Sequence, residues 1–174
     1  MLRFSKELTA DILNGFECGV QTMDGFIRDS LASLINEDRR YSLYVAVEDS
    51  LGVVALFITS SGIFIDHNSE YHDLPSGKPW GFIDDDFQMK SGIMYPTLEI
   101  DFLAVRKDLR GKGYGTQVIE ELSAMARSKN CFFLTVDAYH TGVYSAIPFY
   151  EKQGFFALQE YSEEYDTLRM AKRV

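Results

Sequence analysis

The chain has 174 residues, and 26 acidic residues against 17 basic ones give it a formal net charge of −9. The length predicts a single domain over residues 1–174, and 46% hydrophobic with 25% charged residues exclude disordered, collagen-like and coiled-coil classes. The negative excess repels phosphate backbones, so nucleic-acid binding is disfavoured unless basic residues are gathered locally.

Two features predict a cytoplasmic protein. The cysteines, Cys18 and Cys131, lie far apart without CxxC spacing, so no disulfide framework is expected and a reducing compartment is favoured. The first fifteen residues lack the apolar core of a signal peptide, and no stretch approaches the roughly 18 apolar residues that span a bilayer.

The first part of the chain predicts helices followed by a hairpin. Over residues 9–40, apolar residues recur at helical spacing, and Gly15 and Gly19 interrupt the pattern early, so two helices are expected. Residues 41–48 and 53–59 are rich in β-branched and aromatic residues and flank the turn sequence DSLG. This arrangement is typical of an antiparallel hairpin.

Residues 66–96 predict a long irregular excursion. This stretch contains three of the four prolines, several glycines and the acidic run Asp84-Asp85-Asp86, and it has no sustained period. A connection of this length is either a binding loop or a solvated connection, and the sequence leaves both open.

Residues 97–138 predict a βαβ unit. The strand 97–105 alternates until Leu103-Ala104-Val105, where the failed alternation indicates a bulge or an exit from regular pairing. The glycine-rich stretch 110–115 opens an amphipathic helix, and residues 131–138 form an apolar strand. Strand, helix and strand in this order imply a parallel pair.

The remaining residues predict a short helix near 145–153 and strands near 155–160 and 167–172. The fold is therefore expected to be mixed α/β and centred on a sheet.

The glycine-rich turn suits a phosphate ligand. Its three glycines let the backbone approach a ligand, and the free N–H groups of the helix start suit a pyrophosphate. The Rossmann pattern needs glycine where Thr116 stands, and the P-loop pattern has no match. His67, His72 and His140 are scattered without paired ligand spacing, so no metal site is predicted.

The motifs L-A-V and R-G-K-G-Y-G, followed by a helix, an apolar strand and A-I-P-F-Y-E-K-Q-G-F, resemble the GNAT family of N-acetyltransferases over roughly residues 40–172. The resemblance implies a mostly antiparallel twisted sheet with a central parallel, splayed strand pair and flanking helices, and a motif core at residues 97–156. It also implies acetyl-CoA as cosubstrate and no metal. Homodimers occur in this family, and the residues leave that open.

Two groups of coenzyme-binding residues follow from the resemblance, a splayed strand for the pantetheine arm and a loop for the pyrophosphate. They are Leu103, Ala104, Val105, Arg110, Gly111, Lys112, Gly113, Tyr114 and Gly115. Many family members carry an asparagine where Val143 stands, so Ser145 or Tyr144 is expected to replace its contact with the coenzyme.

The resemblance also implies catalytic roles. Glu99 matches the strand glutamate that acts as general base in the histone acetyltransferase branch, and a carboxylate can take the proton of an ammonium with a pKa of about 10. The alternative is a polar residue on a half-exposed strand. Asp101, on the same face by alternation, is the substitute base or an anchor for the substrate amine. Tyr150 matches the tyrosine that protonates the departing thiolate, and its alternative is a core tyrosine.

Residues 16–27 resemble the opening of a bacterial subgroup that includes toxin acetyltransferases acting on charged tRNA. Such toxins need a basic face and generally lack the strand carboxylate that Glu99 supplies here. We therefore predict direct transfer of acetyl to a primary amine of a small molecule or protein. The alternatives are a toxin acting on aminoacyl-tRNA, an acyl-CoA-binding module without transfer activity, and an interaction protein that uses the acidic loop.

Overall fold

The computed structural model describes residues 2–6, 15–67, 70, 74, 78–83, 89–160 and 165–174. The strands are β1 (Leu2–Ser5), β2 (Ser42–Glu48), β3 (Gly52–Asp66), β4 (Lys78–Ile83), β5 (Met89–Val105), β6 (Phe133–Tyr139), β7 (Phe156–Ala157) and β8 (Thr167–Arg173). The helices are α1 (Gln21–Asp29), α2 (Leu31–Glu37), α3 (Tyr114–Ser128) and α4 (Ile147–Lys152), with a 3₁₀ turn at Lys107–Leu109.

The strands form one mixed sheet in the order β1-β2-β3-β5-β6-β8-β7, and β4 pairs with the first part of β5. Only β5 and β6 among these strands are parallel to each other, and α3 connects them. The predicted hairpin is present as β2 and β3, which pair antiparallel. The prediction of a mostly antiparallel α/β sheet with a central parallel pair is confirmed.

Residues 66–96 contain more regular structure than the sequence indicated. β3 extends to Asp66, β4 occupies residues 78–83, and β5 begins at Met89, so the predicted irregular excursion is wrong over these strands. The pattern was misleading because β4 contains a proline and a glycine, which an edge strand tolerates. The run Asp84–Asp86 lies outside the described residues, as does His72.

The helices before β2 differ in their boundary from the prediction. Within the described residues, the break falls at Ser30 between α1 and α2, and residues 15–20 are not helical. Gly15 and Gly19 have φ angles of 102° and 81°, which end any helix there. None of the helices in the described part of the chain is long and apolar enough to cross a membrane.

Two hydrophobic cores cover opposite faces of the sheet. Along β3, Phe57 belongs to one core, and its neighbours Leu56 and Ile58 belong to the other, as strand alternation requires. The first core contains the buried side of α3, and we call that side the α3 face. The second core contains Ile27 of α1 and Leu31 of α2, and we call that side the α1/α2 face.

A one-residue bulge interrupts the pairing of β5 with β3. Ile58 pairs with Phe102, but the next residue, Thr59, pairs with Ile100, so Asp101 is the additional residue on β5. The predicted bulge is therefore present, but it lies before the residues at which the sequence alternation fails.

The bulge exchanges the faces to which β5 turns its side chains. Leu98 and Ile100 pack into the core on the α3 face before the bulge, and Leu103 and Val105 pack against the same core after it. Ala104 turns to the α1/α2 face. Regular alternation would have given the even-numbered positions one face throughout, which explains the failed pattern.

Beyond the bulge, β5 and β6 separate. Their pairing ends at Ile100 and Val136, after which β5 continues to Val105 beside β3 and β6 continues to Tyr139 beside β8. Alternate residues of an antiparallel strand turn their N–H and C=O groups away from their partner, so this part of β5 presents backbone polar groups to the gap. The predicted splayed pair is present as this gap, which we call the wedge.

The packing of α3 on the sheet can be tested with Leu122, which is fully buried. We expect Leu122→Ala to lower the free energy of unfolding by about 2 to 5 kcal/mol, because it leaves a cavity in the core. Urea denaturation followed by circular dichroism measures this. Leu51→Ala, at a partly exposed turn position, is the matched control and should cost less than about 1 kcal/mol. Equal losses would contradict the assigned packing.

Candidate active site

A cleft of about 400 Å³, which we call the coenzyme cleft, adjoins the wedge where β5 meets α3 and α4. Its lining includes all but one of the predicted coenzyme residues, namely Leu103, Ala104, Val105, Arg110, Gly111, Gly113, Tyr114 and Gly115. Lys112, the remaining one, does not line the cleft. The residues predicted from the sequence therefore gather at one cleft, but the sequence did not show that Arg110 lines it and Lys112 does not.

The glycine loop has the geometry of an anion cradle. Gly111 and Gly113 have φ angles of 73° and 87°, a region that residues with a Cβ rarely adopt. Gly113 is the N-cap of α3, and no side chain accepts a hydrogen bond from the helix start. The first N–H groups of a 15-residue helix thus stay available at its positive end. The guanidinium of Arg110 lies 5.5 Å from the ring centre of Tyr144, which places a positive charge at the same cleft.

Close packing sets the position of the loop. A Cβ on Gly115 would lie 3.0 Å from the ring of Phe149, so the missing side chain lets α3 start directly against α4. The hydroxyl of Tyr114 donates a hydrogen bond to Glu48 of β2. Phe149 lines the cleft and was not identified from the sequence.

The segment that resembles the toxin subgroup forms one wall of the coenzyme cleft. Asp24 accepts hydrogen bonds from the backbone N–H of Cys18 at 2.6 Å and of Gly19 at 2.9 Å. Burial alone would raise the pKa of Asp24, but its hydrogen bonds with Cys18 and Gly19 lower it. Cys18 and Met23 of this segment line the coenzyme cleft. Burial raises the pKa of the Cys18 thiol, which keeps it protonated.

A second cavity of about 250 Å³ occupies the wedge itself, and we call it the wedge cavity. Residues of β5 and β6 form its sides, and Tyr144 and Tyr150 line both this cavity and the coenzyme cleft. Tyr150 is 5% exposed, and burial, with a smaller effect of Tyr144, raises its pKa well above the usual value. Its phenol therefore holds a proton at neutral pH.

A third cavity of about 290 Å³ lies on the α1/α2 face, and we call it the acidic cleft. Three carboxylates line it, from Glu99, Asp101 and Asp137, opposite the apolar side chains of Phe26 and Leu34. Asp101 and Asp137 also line the wedge cavity, so the three cavities follow one another.

Glu99 is held by a partner that the sequence did not reveal. Arg169 of β8 donates to both of its carboxylate oxygens, at 3.0 Å from Nη2 to Oε2 and through Nη1 to Oε1, and Nη1 also donates to Oδ2 of Asp137 at 3.2 Å. The hydrogen bond with Glu99 raises the pKa of Arg169. Gly62 of β3 leaves room for this pair, since a Cβ there would lie 2.6 Å from Oε2 of Glu99.

Asp101 stands at the bulge, in a different environment. Oδ1 accepts a hydrogen bond from the hydroxyl of Ser60 at 3.0 Å. Asp101 is an exposed residue at the open cleft, and the surrounding protein excludes only part of its hydration. This desolvation is the main cause that raises the pKa of Asp101 to about 6. The hydrogen bond from Ser60 lowers the pKa, and the charge of Glu99 raises it further.

Other predicted residues lie apart from the cavities. Val143 is 98% exposed, in agreement with the departure from the family pattern. Ser145 accepts a hydrogen bond from the N–H of Ile147 and lines none of the three cavities, so Tyr144 is the one of the two proposed replacements that faces the cleft. Among the described residues, no group of three or more His, Cys, Asp or Glu is arranged to hold a metal ion.

Comparison with known proteins identifies the fold. The model of the Acetyltransferase (GNAT) family matches residues 28–155. Among solved structures, AtaT complexed with acetyl-methionyl-tRNAfMet has a TM-score of 0.65 at 18% identity, covering 97% of this chain and 94% of that one. AtaTR bound with AcCoA has a TM-score of 0.61 at 18% identity, covering 97% of this chain and 92% of that one. The KacTA–DNA complex has a TM-score of 0.60 at 17% identity, with the same coverage of the two chains. No curated protein is a significant match to this sequence.

The two basic residues of the glycine loop should contribute unequally to coenzyme binding. We expect Arg110→Ala to weaken acetyl-CoA binding by about 10- to 100-fold, because it removes a charged partner from the cleft, whereas Lys112→Ala changes binding by less than about threefold. Isothermal calorimetry with acetyl-CoA measures both. A larger loss in the Lys112 variant would show that the phosphates lie elsewhere.

Proposed function

Because the chain belongs to the GNAT family of acetyltransferases, we propose that it transfers the acetyl group of acetyl-CoA to a primary amine of a small molecule or protein. Membership makes it an N-acetyltransferase rather than an acyl-CoA-binding module without transfer activity. The observation that supports the acceptor class is the sequence of three adjoining cavities, in which a protonated phenol lies beside the coenzyme cleft and carboxylates line the acidic cleft.

The coenzyme cleft fits a molecule with a pyrophosphate and an extended polar arm. Gly111, Gly113 and the start of α3 would hold the phosphates, with the charge of Arg110 beside them. The outward backbone groups of β5 between Leu103 and Val105 would pair with the amide groups of the arm. When bound, acetyl-CoA supplies an acyl group activated as a thioester.

The reaction requires two proton transfers at opposite ends of the wedge cavity. The amine nitrogen forms a C–N bond to the acyl carbon while the C–S bond breaks. The acceptor ammonium loses two protons in the reaction. A carboxylate of β5 takes the first proton. Tyr150 gives its own proton to the leaving sulfur, and the second proton of the amine then restores the phenol. Burial keeps the phenol of Tyr150 protonated until that step.

The acidic cleft supports a cationic acceptor. Three carboxylates line this cleft, and the guanidinium of Arg169 pairs with two of them; the charge of Arg40, which also acts on Asp101, is paired with Asp38. The cleft therefore has a negative balance that suits an ammonium group. Phe26 and Leu34 form an apolar wall, which suits an amine attached to a hydrophobic portion. A cytoplasmic location remains a prediction, which the free cysteines Cys18 and Cys131 fit because they suit a reducing compartment. The oligomeric state stays open.

A second candidate function is acetylation of aminoacyl-tRNA. Arg39 and Arg40 line a further cavity of about 320 Å³ with Tyr41, which also lines the acidic cleft. Arg40 is paired with Asp38, so Arg39 would be the main contribution here to the local positive charge that an acidic chain needs for nucleic acid. The presence of Glu99 also argues less strongly against a toxin, because Arg169 occupies its carboxylate.

Thiol release from acetyl-CoA distinguishes these functions. The acceptor panel should contain polyamines, amino acids, aminoglycosides, peptides and aminoacyl-tRNA. Activity with a free amine or peptide supports the proposal, and activity restricted to aminoacyl-tRNA supports the second candidate. In the latter case the charge reversal Arg39→Glu should abolish activity, whereas it should change the rate with a small amine by less than about threefold. Absence of acetyl-CoA binding would contradict both.

Tyr150→Phe tests the proton donor. Removing the hydroxyl leaves the ring in the core but leaves no acid for the thiolate, so we expect kcat to fall by about 100- to 10,000-fold with little change in acetyl-CoA affinity. Steady-state kinetics and calorimetry measure the two effects. Tyr165→Phe, at an exposed position, is the matched control. An unchanged kcat in the Tyr150 variant would leave this residue as a core tyrosine.

A further inference from the structure

Resting on the proposed function, we propose that Asp101 accepts the proton of the acceptor amine, and that Arg169 is the positioning residue that assigns this role by holding Glu99 in an ion pair. The resemblance favours Glu99 as the base. The contacts of Glu99 with Arg169 and of Asp101 with Ser60 favour Asp101 as the base instead.

Both carboxylate oxygens of Glu99 accept hydrogen bonds from Arg169. One guanidinium donates to Oε1 and Oε2 together, a bidentate arrangement that is the strongest form of this pair. The side chain of Glu99 is 20% exposed, and that of Arg169 is 25% exposed, so solvent does little to loosen them. To accept a proton, Glu99 would have to give up a charge-assisted hydrogen bond. It lines the acidic cleft but not the wedge cavity.

Asp101 has the position that proton transfer requires. It lines both the wedge cavity and the acidic cleft, between the tyrosines beside the coenzyme cleft and the apolar wall of the acceptor side. Asp137 lines both cavities as well, but it accepts a hydrogen bond from Arg169 at 3.2 Å. Only the bulge places Asp101 there, since it is the residue that has no partner on β3. Ser60 fixes one of its oxygens. A general base works best when its pKa lies near the working pH, and the cavity walls bring that of Asp101 to about 6.

The charged and titratable groups around Asp101 come from every neighbouring element. They are Glu99 on β5, Asp137 and Tyr139 on β6, Arg169 on β8, Arg40 and Tyr41 after α2, and Tyr144 and Tyr150 beside the coenzyme cleft. The facing side chains of α1 and α2, Phe26 and Leu34, are apolar. Glu99 raises the pKa of Asp101, and Arg169 lowers it. Desolvation is the main cause of the raised pKa of Asp101, and the two charges of the ion pair adjust that pKa in opposite directions.

The first measurement is the rate of thiol release against pH. For the wild type, kcat should rise with pH through about 6, as the carboxyl of Asp101 loses its proton. Asp101→Asn should lose about 100-fold or more in kcat and lack this rise, while acetyl-CoA still binds with unchanged affinity. Glu120→Gln, an exposed position on α3, is the control and should behave as the wild type.

The variants of the pair should move the same rise in opposite directions. Glu99→Gln removes a negative charge, so the rise should shift to lower pH. Arg169→Gln removes a positive charge, so the rise should shift to higher pH. The double variant, Glu99→Gln with Arg169→Gln, replaces the ion pair by two amides and should return the rise toward its original position. A purely structural role would lower the rate without these shifts.

Two results would overturn the inference. One is an Asp101→Asn variant that keeps the wild-type rate and pH profile, and the other is a Glu99→Gln variant that loses about 100-fold with Asp101→Asn unaffected. Carboxyl titration by NMR needs no acceptor and tests the same arrangement. Asp101 should take up its proton near pH 6, with opposite shifts in the two single variants. If the wild type released no thiol with any acceptor, the proposed function would fail, and the base role of Asp101 with it; this titration would still test whether Glu99 and Arg169 shift the pKa of Asp101 in opposite directions.

Discussion

The site depends on the point where β5 leaves β6 while it stays paired with β3. A single additional residue, Asp101, makes this departure possible, because it changes the register with β3 and reverses the faces of every later residue. The backbone groups freed in the wedge are too costly to leave without partners, and an extended polar ligand can satisfy them. The same residue that opens the sheet carries a carboxylate into the opening.

Electrostatics then gives the two ends of the wedge different characters. At the coenzyme end, a helix start and Arg110 provide positive potential within a chain of net charge −9. At the acceptor end, three carboxylates share the guanidinium of Arg169. A fully dry site would penalise such charges strongly, and the open cleft lets solvent stabilise those that the arginine does not pair.

The proposed acceptor side is built by parts of the chain other than those that build the proposed coenzyme site. The wall of α1 and α2 and the arginines before β2 lie outside the β5–α3–β6 unit, which is the proposed coenzyme site. The toxin structures similar to this chain share less than a fifth of its residues, so they establish the fold and leave the acceptor to be found from these walls. Asp24 ties this wall to the coenzyme cleft through the backbone of Cys18 and Gly19.

The sequence alone determined the βαβ unit and the glycine loop, because local periodicity and glycine conformation are encoded over a few neighbouring positions. The coenzyme residues follow from the family resemblance and stay a prediction. The sequence did not reveal β4, whose edge position tolerates residues that usually break strands. Nor could it show that Arg169 holds Glu99, since the two residues are 70 positions apart and meet only when β8 pairs with β6 beside β5. Tertiary structure alone decided which carboxylate is engaged, because ion pairing depends on distances that sequence order does not contain.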